Sequence, residues 1–191
     1  MYNRIYYTVP LANKVIAQMN SFSFSNKDQV IGELRFLRAL AYYYLIDCFG
    51  KGPLLTEADL GKGPKAESTR KELFDFVESE LLDIEGKLPP RIGYGQSSKG
   101  AVRMLLAKLY LNAEVYVGEN RYAGAYKYSK LVIDEGGYKL ADNFRSLFCR
   151  DNDVTDAKNE IIYVLIADPV VSQSYGNTTY LINGSLPSIS K

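Results

Sequence analysis

Residues 26–50 read NKDQVIGELRFLRALAYYYLIDCFG, and the spacing of their apolar side chains decides the fold class. Val30, Leu34, Leu37, Ala41, Tyr44 and Cys48 recur four and three apart, which lines one face of an α-helix; a half-buried strand would repeat every second residue. Ser25 stands at the N-cap position, Asp28 favours the positive end of the helix dipole, and Gly50 followed by Pro53 stops the helix. The run Tyr42-Tyr43-Tyr44 invites a reading as a flat binding platform. Consecutive helical side chains point about 100° apart, however, so the three rings cannot share a plane and are assigned to packing between helices. Arg35, Arg38 and Asp47 could form a ligand cluster, but Arg35 and Arg38, three apart on a shared face, read in preference as structural ion-pair formers or solvated side chains, with Glu33 and Asp47 fixing neighbouring helices or caps.

Helical grammar extends to both sides of this stretch. Upstream, Ile5, Val9, Ala12, Ile16 and Met19 form a similar stripe, in which Pro10 either kinks the helix or stands in its first turn behind a Thr8 cap. Downstream, residues 50–68 hold four Gly and two Pro and read as a long loop. Thr69 with Glu72 makes a capping box for a helix that carries Phe74, Val77, Leu81, Ile84 and Leu88 and ends at Pro89-Pro90. After the connector RIGYGQ, Ser97-Ser98 caps a helix over 99–117 with Val102, Leu105, Leu106, Leu109, Ala113 and Tyr116 on one face. Gly118 separates it from a fifth helix over about 120–135, with Tyr122, Ala125, Ser129 and Val132 aligned and Gly136-Gly137 closing it. A short strand at Tyr138–Leu140, a helix near 142–149 capped by Asp142, and a β-branched strand over Ile161–Ile166 complete the reading.

The expected fold is mostly α: tetratricopeptide-like stacked helix hairpins with a short β element near the C-terminal end. The pair 99–117 and 120–135 fits the ~34 residues of one tetratricopeptide unit, with Ala107, Ala113 and Ala125 where two helices must approach closely. Residues 1–158 form the helical scaffold, and residues 159–191 a strand followed by an irregular loop.

Composition narrows the chemistry. The 191 residues suit one large domain or a domain with an appendage, and 47% hydrophobic residues supply a sizeable core. A net charge of +1 gives no field that would steer the chain to nucleic acid or anionic lipid. No apolar run reaches the ~20 residues of a spanning helix, and the opening MYNRIYYTVP has no signal-peptide pattern. The chain has no His, which removes the usual general base, the commonest zinc ligand and every Ser-His or Cys-His pair. Glu78, Glu80, Asp83 and Glu85 cluster on one helix, where their spread suits a solvated face better than two acids across a cleft. Asp151–Asp156 opens like a calcium loop but carries Asp156 where Gly belongs and Ile162 where Glu belongs, so it reads as a solvated turn. Gly61-Lys62-Gly63-Pro64-Lys65 lacks the spacing of a phosphate loop. Cys48 and Cys149 read as two buried free thiols in preference to a disulfide. No enzyme activity, cofactor or metal is expected.

Several segments together resemble one family. They are Glu33–Gly50 followed by Lys51-Gly52-Pro53-Leu54, then Ser98–Ala101, Leu106–Tyr116, Arg121-Tyr122 with Ala125, Val132-Ile133, Gly137-Tyr138 and Asn159-Glu160-Ile161-Ile162. In this combination and order the chain resembles the SusD/RagB family of surface-exposed outer-membrane lipoproteins that bind glycans. The resemblance implies a tetratricopeptide-like scaffold that carries ligand loops, docks on a SusC-like TonB-dependent transporter and holds an oligosaccharide at the cell surface before import. Family members begin with a signal peptide and a lipid-modified Cys and continue well beyond the Asn159–Ile162 segment. By that measure the chain reads as a fragment covering the N-terminal helical region, with membrane contact only through a lipid anchor absent from it.

Glycan capture needs flat side chains against the C–H face of a sugar ring and hydrogen-bonding groups at its rim. Trp is absent, so Tyr or Phe must serve. The stretch Gln173–Tyr180 interleaves aromatics with amides, hydroxyls and Gly, and in the family a ligand-contacting aromatic lies shortly after the segment matching Asn159–Ile162. Tyr175, Asn177 and Tyr180 are therefore the expected ligand-binding residues. The alternative is a tetratricopeptide-like protein–protein interaction scaffold, which the helical repeats suit equally well.

Overall fold

A computed structural model describes residues 1–91, 93 and 95–166. Its helices are α1 (Tyr2–Asn20), α2 (Lys27–Phe49), α3 (Arg70–Ile84), α4 (Lys99–Leu111), α5 (Ala113–Val117) and α6 (Tyr122–Glu135). Single-turn 3₁₀ segments occupy Glu57–Asp59, Phe144–Phe148 and Asp156–Asn159. α2 packs between α1 and α3, α3 leans on α4 and α5, and α4 pairs with α6, so helix hairpins stack side by side as the periodicity predicts.

Caps set most boundaries. The Thr69 hydroxyl accepts from the Glu72 N–H while the Glu72 carboxylate accepts from the Thr69 N–H at 2.7 Å, closing the capping box. Ser98 Oγ accepts from the Ala101 N–H at the start of α4. α2 is capped by Asn26 rather than Ser25, with no side-chain cap bond. Gly50 ends α2 at φ +80°, and a Cβ there would lie 2.5 Å from the Arg70 guanidinium, so only glycine fits. Pro10 sits in the interior of α1, and Thr8 donates to the Arg4 carbonyl instead of capping. α3 stops at Ile84, five residues before Pro89, although Leu88 stays buried. Asn112 interrupts the expected 99–117 helix: its amide donates to the Lys108 carbonyl, a local bond that competes with the helical ladder. The stripe still runs through the break, with Leu109, Ala113 and Tyr116 all buried.

The burial of α2 differs from its sequence pattern. Gly32, Phe36, Arg38, Ala39, Ala41, Tyr42, Tyr43, Leu45 and Ile46 are the buried residues, so Ala41 of the expected stripe is buried while Tyr44 and Cys48 are exposed. A helix with neighbours on two sides buries more than one face, and the stripe of Leu34, Tyr44 and Cys48 is the side α1 and α3 leave open. α6 turns Ala125, Tyr128 and Val132 inward and leaves Tyr122 exposed. Gly124 permits its close approach to α4, since a Cβ there would meet the Tyr110 ring at 2.8 Å.

The β element is real but sits elsewhere. β1 (Gly52–Pro53) pairs antiparallel with β2 (Glu67–Ser68), closing the base of the 50–69 loop. The described residues 138–140 and 161–166 are not assigned to strands: a β-branched run becomes a strand only beside another edge, and Tyr163 packs on Phe36 of α2 instead. The expected helix near 142–149 is the 3₁₀ segment Phe144–Phe148, capped by Asn143 rather than Asp142.

Candidate functional site

Two kinds of polar arrangement stand out, one buried and structural, one open. The buried one centres on Arg38, which is 2% exposed. Its Nη1 donates to Asn13 Oδ1 on α1 at 2.6 Å and to Glu57 in the 50–69 loop; its Nη2 donates to Glu80 on α3 at 2.6 Å. Arg35 joins from the next turn with Nη2 2.6 Å from Glu80 Oε1 and a further pair to Asp83. One guanidinium fork thus ties three helices and a loop, a geometry that a point-like ammonium cannot reproduce.

Of the four acids expected on a solvated face Asp83 is exposed, whereas Glu78, Glu80 and Glu85 are drawn into contacts with other elements. Glu78 accepts from Tyr110 Oη at 2.7 Å, Glu80 is buried between Arg35 and Arg38, Asp83 pairs with Arg35 and Lys87, and Glu85 accepts from Arg103 at 2.7 Å. Neighbouring helices supply these partners, which is why one helix's sequence could not reveal them. Asp47 likewise accepts from Tyr116 Oη at 2.6 Å, joining α2 to α5.

Burial works against ionisation of Glu57, yet its bond from Arg38 wins and holds the carboxyl below its usual range. Lys87 and then Arg35 hold Asp83 down, and the Thr56 N–H with Lys65 holds Asp59 at about 2. A carboxyl whose folded pKa is depressed stabilises the fold above its unfolded pKa and loses that contribution as pH falls through the folded value. Thermal midpoints are therefore expected to stay level from pH 7 to 5 and to fall progressively from about pH 4.5 toward 2. A melting curve unchanged at pH 3 contradicts the assignment.

The open arrangement flanks the segment 161–165. On one side an apolar groove of about 370 Å³ lies between α2 and α4, lined by Phe36, Leu40, Tyr43, Tyr44, Met104 and Leu105 with Lys108 at its edge. On the other a polar cleft of about 400 Å³ is lined by Arg91, Gln96, Ser98, Tyr138, Asp153, Lys158 and Asn159. Ile162 and Tyr163 line both. Tyr163 anchors the segment edge-on against Phe36, with ring centroids 5.0 Å apart, and burial raises its pKa against the opposing pull of a hydrogen bond with Ser97. Tyr44, 41% exposed, is the member of the tyrosine run that reaches solvent.

Tyr175, Asn177 and Tyr180 lie outside the described residues. Sequence reasoning missed the groove, whose signal was the second apolar side of α2. Among the described residues no cluster of three metal-ligating side chains exists. The Asp151 carbonyl accepts from the N–H groups of Val154 and Thr155 in an ordinary turn, and Lys65 of the Gly-rich loop pairs with Asp59. Cys48 and Cys149 are free as expected but exposed rather than buried, because one lies on the open side of α2 and the other follows an exposed 3₁₀ turn. Among the described residues no helix is long and apolar enough to cross a membrane.

Known proteins share this fold. Residues 1–111 match the SusD-like family described as starch-binding and associating with the outer membrane. The chain is 36% identical over 188 residues, 97% of its length, to the starch-binding protein SusD of Bacteroides thetaiotaomicron, of which it covers 34%. A SusD superfamily protein from Parabacteroides distasonis superposes with a TM-score of 0.70 at 29% identity, over 76% of this chain and 33% of that one. A crystal structure determined with a xylogluco-oligosaccharide reaches a TM-score of 0.75 over 85% of this chain and 34% of that one, and its 24% identity speaks to the fold alone. The chain spans about a third of the length of the curated relatives it matches. With the helical stack, the β1–β2 closure and a family match over more than half its residues, the chain belongs to the SusD-like family.

Proposed function

We propose that the chain is the helical scaffold region of a non-catalytic, surface-exposed outer-membrane lipoprotein. It captures oligosaccharides and delivers them to a SusC-like TonB-dependent transporter. The observation that carries this reading is the 36% identity, along nearly the whole chain, to a protein named for starch binding. The absence of His, together with the engagement of every α3 carboxylate by a donor, supports binding without proton transfer. In this reading residues 1–158 hold the scaffold rigid, and residues 159–191 leave it at the Tyr163 anchor and carry Tyr175, Asn177 and Tyr180 to the sugar.

Isothermal titration of the full-length protein against neutral malto-, laminari- and xylogluco-oligosaccharides tests the proposal. One ligand class is expected to bind without release of shortened products. Tyr175→Ala combined with Tyr180→Ala is expected to weaken it about tenfold or more, since two stacking contacts are removed, with the melting temperature unchanged. Turnover of the sugar, or undiminished affinity in the double variant, overturns the respective part. A second reading, a scaffold gripping a protein partner, is favoured by the apolar groove beside Tyr44. Loss of partner capture by Tyr44→Asp in a protein that binds no glycan would select it.

A further inference from the structure

The polar cleft beside residues 161–164 contains a framework that its surroundings hold rigid. Arg91 Nη1 donates to the Gly137 carbonyl at 2.6 Å, and its guanidinium lies 4.9 Å over the Tyr138 ring. The Tyr138 hydroxyl is 3.4 Å from Ser98 Oγ. Two glycines make room for this ring: a Cβ at Gly100 would fall 2.2 Å from the Tyr138 hydroxyl, and one at Gly136 2.5 Å from Tyr138 Cδ2. Arg91 and Tyr138 are thus fixed by contacts from the connector after α3, the start of α4 and the turn after α6.

The other polar side chains of the cleft are not occupied. Among the described residues, Gln96, Asp153, Lys158 and Asn159 line it and their side chains take part in no hydrogen bond or ion pair. Two amides each offer a donor and an acceptor a short distance apart, the pattern that vicinal hydroxyls complement. The Asp153 carboxylate and the Lys158 ammonium extend it and offset one another, while the Arg91 guanidinium is held by the Gly137 carbonyl and the Tyr138 ring. The volume, about 400 Å³, lies within the ~300–1,000 Å³ range of small-ligand sites.

We propose that this cleft is a saccharide subsite that takes a neutral sugar unit, with Gln96 and Asn159 as its main hydroxyl-binding residues. It rests on the glycan-binding reading above and adds to it residues other than Tyr175, Asn177 and Tyr180. The rigid Arg91–Tyr138 wall presets the geometry, so little ordering accompanies binding.

The test uses the full-length protein, titrated with the neutral heptasaccharides of the malto, laminari and xylogluco series and with an oligogalacturonide. The double variant Gln96→Ala/Asn159→Ala is expected to bind the preferred neutral sugar about tenfold more weakly, with the melting temperature unchanged because neither side chain holds the scaffold. Lys158→Ala, in which the ammonium is removed, is expected to weaken the same sugar less. A parent that binds no glycan defeats the broader reading. A parent that binds while the double variant matches it defeats the subsite alone, as does tighter binding of the oligogalacturonide than of any neutral sugar.

Discussion

Arg38→Met is expected to lower the unfolding free energy by about 3–5 kcal/mol, because removal of one partner strands buried charge. Arg38 is the shared donor to Asn13, Glu57 and Glu80, and Glu80 is itself 8% exposed. Arg35 retains its bonds to Glu80 and Asp83, so Glu80 is not left wholly uncompensated and the loss falls toward the lower end of that range. Urea denaturation followed by circular dichroism reads the change directly, and the melting temperature should fall by about 10 °C. Arg38→Lys serves as the control. An ammonium keeps the charge but cannot span acceptors on α1, the loop and α3 together, so it should recover less than half of the loss. A destabilisation below about 1 kcal/mol would place Arg38 among the ordinary surface pairs and remove it as the tie between elements.

Tyr42→Ala comes next in size, at about 3–5 kcal/mol, and Tyr42→Phe divides that loss into packing and tethering. The ring is fully buried and meets Phe76 edge-on with centroids 5.4 Å apart. Its hydroxyl donates to the Leu55 carbonyl at 2.9 Å and accepts from the Leu55 N–H at 2.7 Å. Burial pushes its pKa up to about 12, so the group stays neutral and does both. In Tyr42→Phe the Leu55 carbonyl keeps its bond from Asn13, whereas the Leu55 N–H loses its partner, at a cost of about 1–3 kcal/mol. That loss is confined to the 50–69 loop. Tryptic cleavage at Lys62 or Lys65 should therefore accelerate in Tyr42→Phe more than its melting temperature suggests. Equal cleavage rates in the variant and the parent would show that β1–β2 and Glu57 hold the loop without this hydroxyl.

These two residues also mark how far the sequence could be read. Arg38 was legible only as ion-paired or solvated, and neither the choice nor its partners could be read, because Asn13, Glu57 and Glu80 come from three other segments. Tyr42 was legible as packing, but its hydroxyl's grip on Leu55 was not. The same limit explains α3: helical spacing identifies which acids share a surface, whereas α2 and α4 decide whether that surface is wet. For the candidate site, Tyr175, Asn177 and Tyr180 rest on composition and family position. The groove and cleft around Ile162 and Tyr163 emerged only when α2, α4 and the 91–98 connector were brought together.

What the sequence determined by itself was local and periodic. Helix existence, the Thr69–Glu72 box, the Ser98 cap and the stops at Gly50 and Gly118 follow from backbone donors and φ preferences that act within a few residues. Tertiary structure decided which faces are buried, where the ladder forms and what each charge meets. The described residues 161–166 have strand composition yet form no strand, and Gly52–Pro53 has little strand propensity yet pairs with Glu67–Ser68. A strand, a buried face and an ion pair each need a second surface, and the fold alone supplies it.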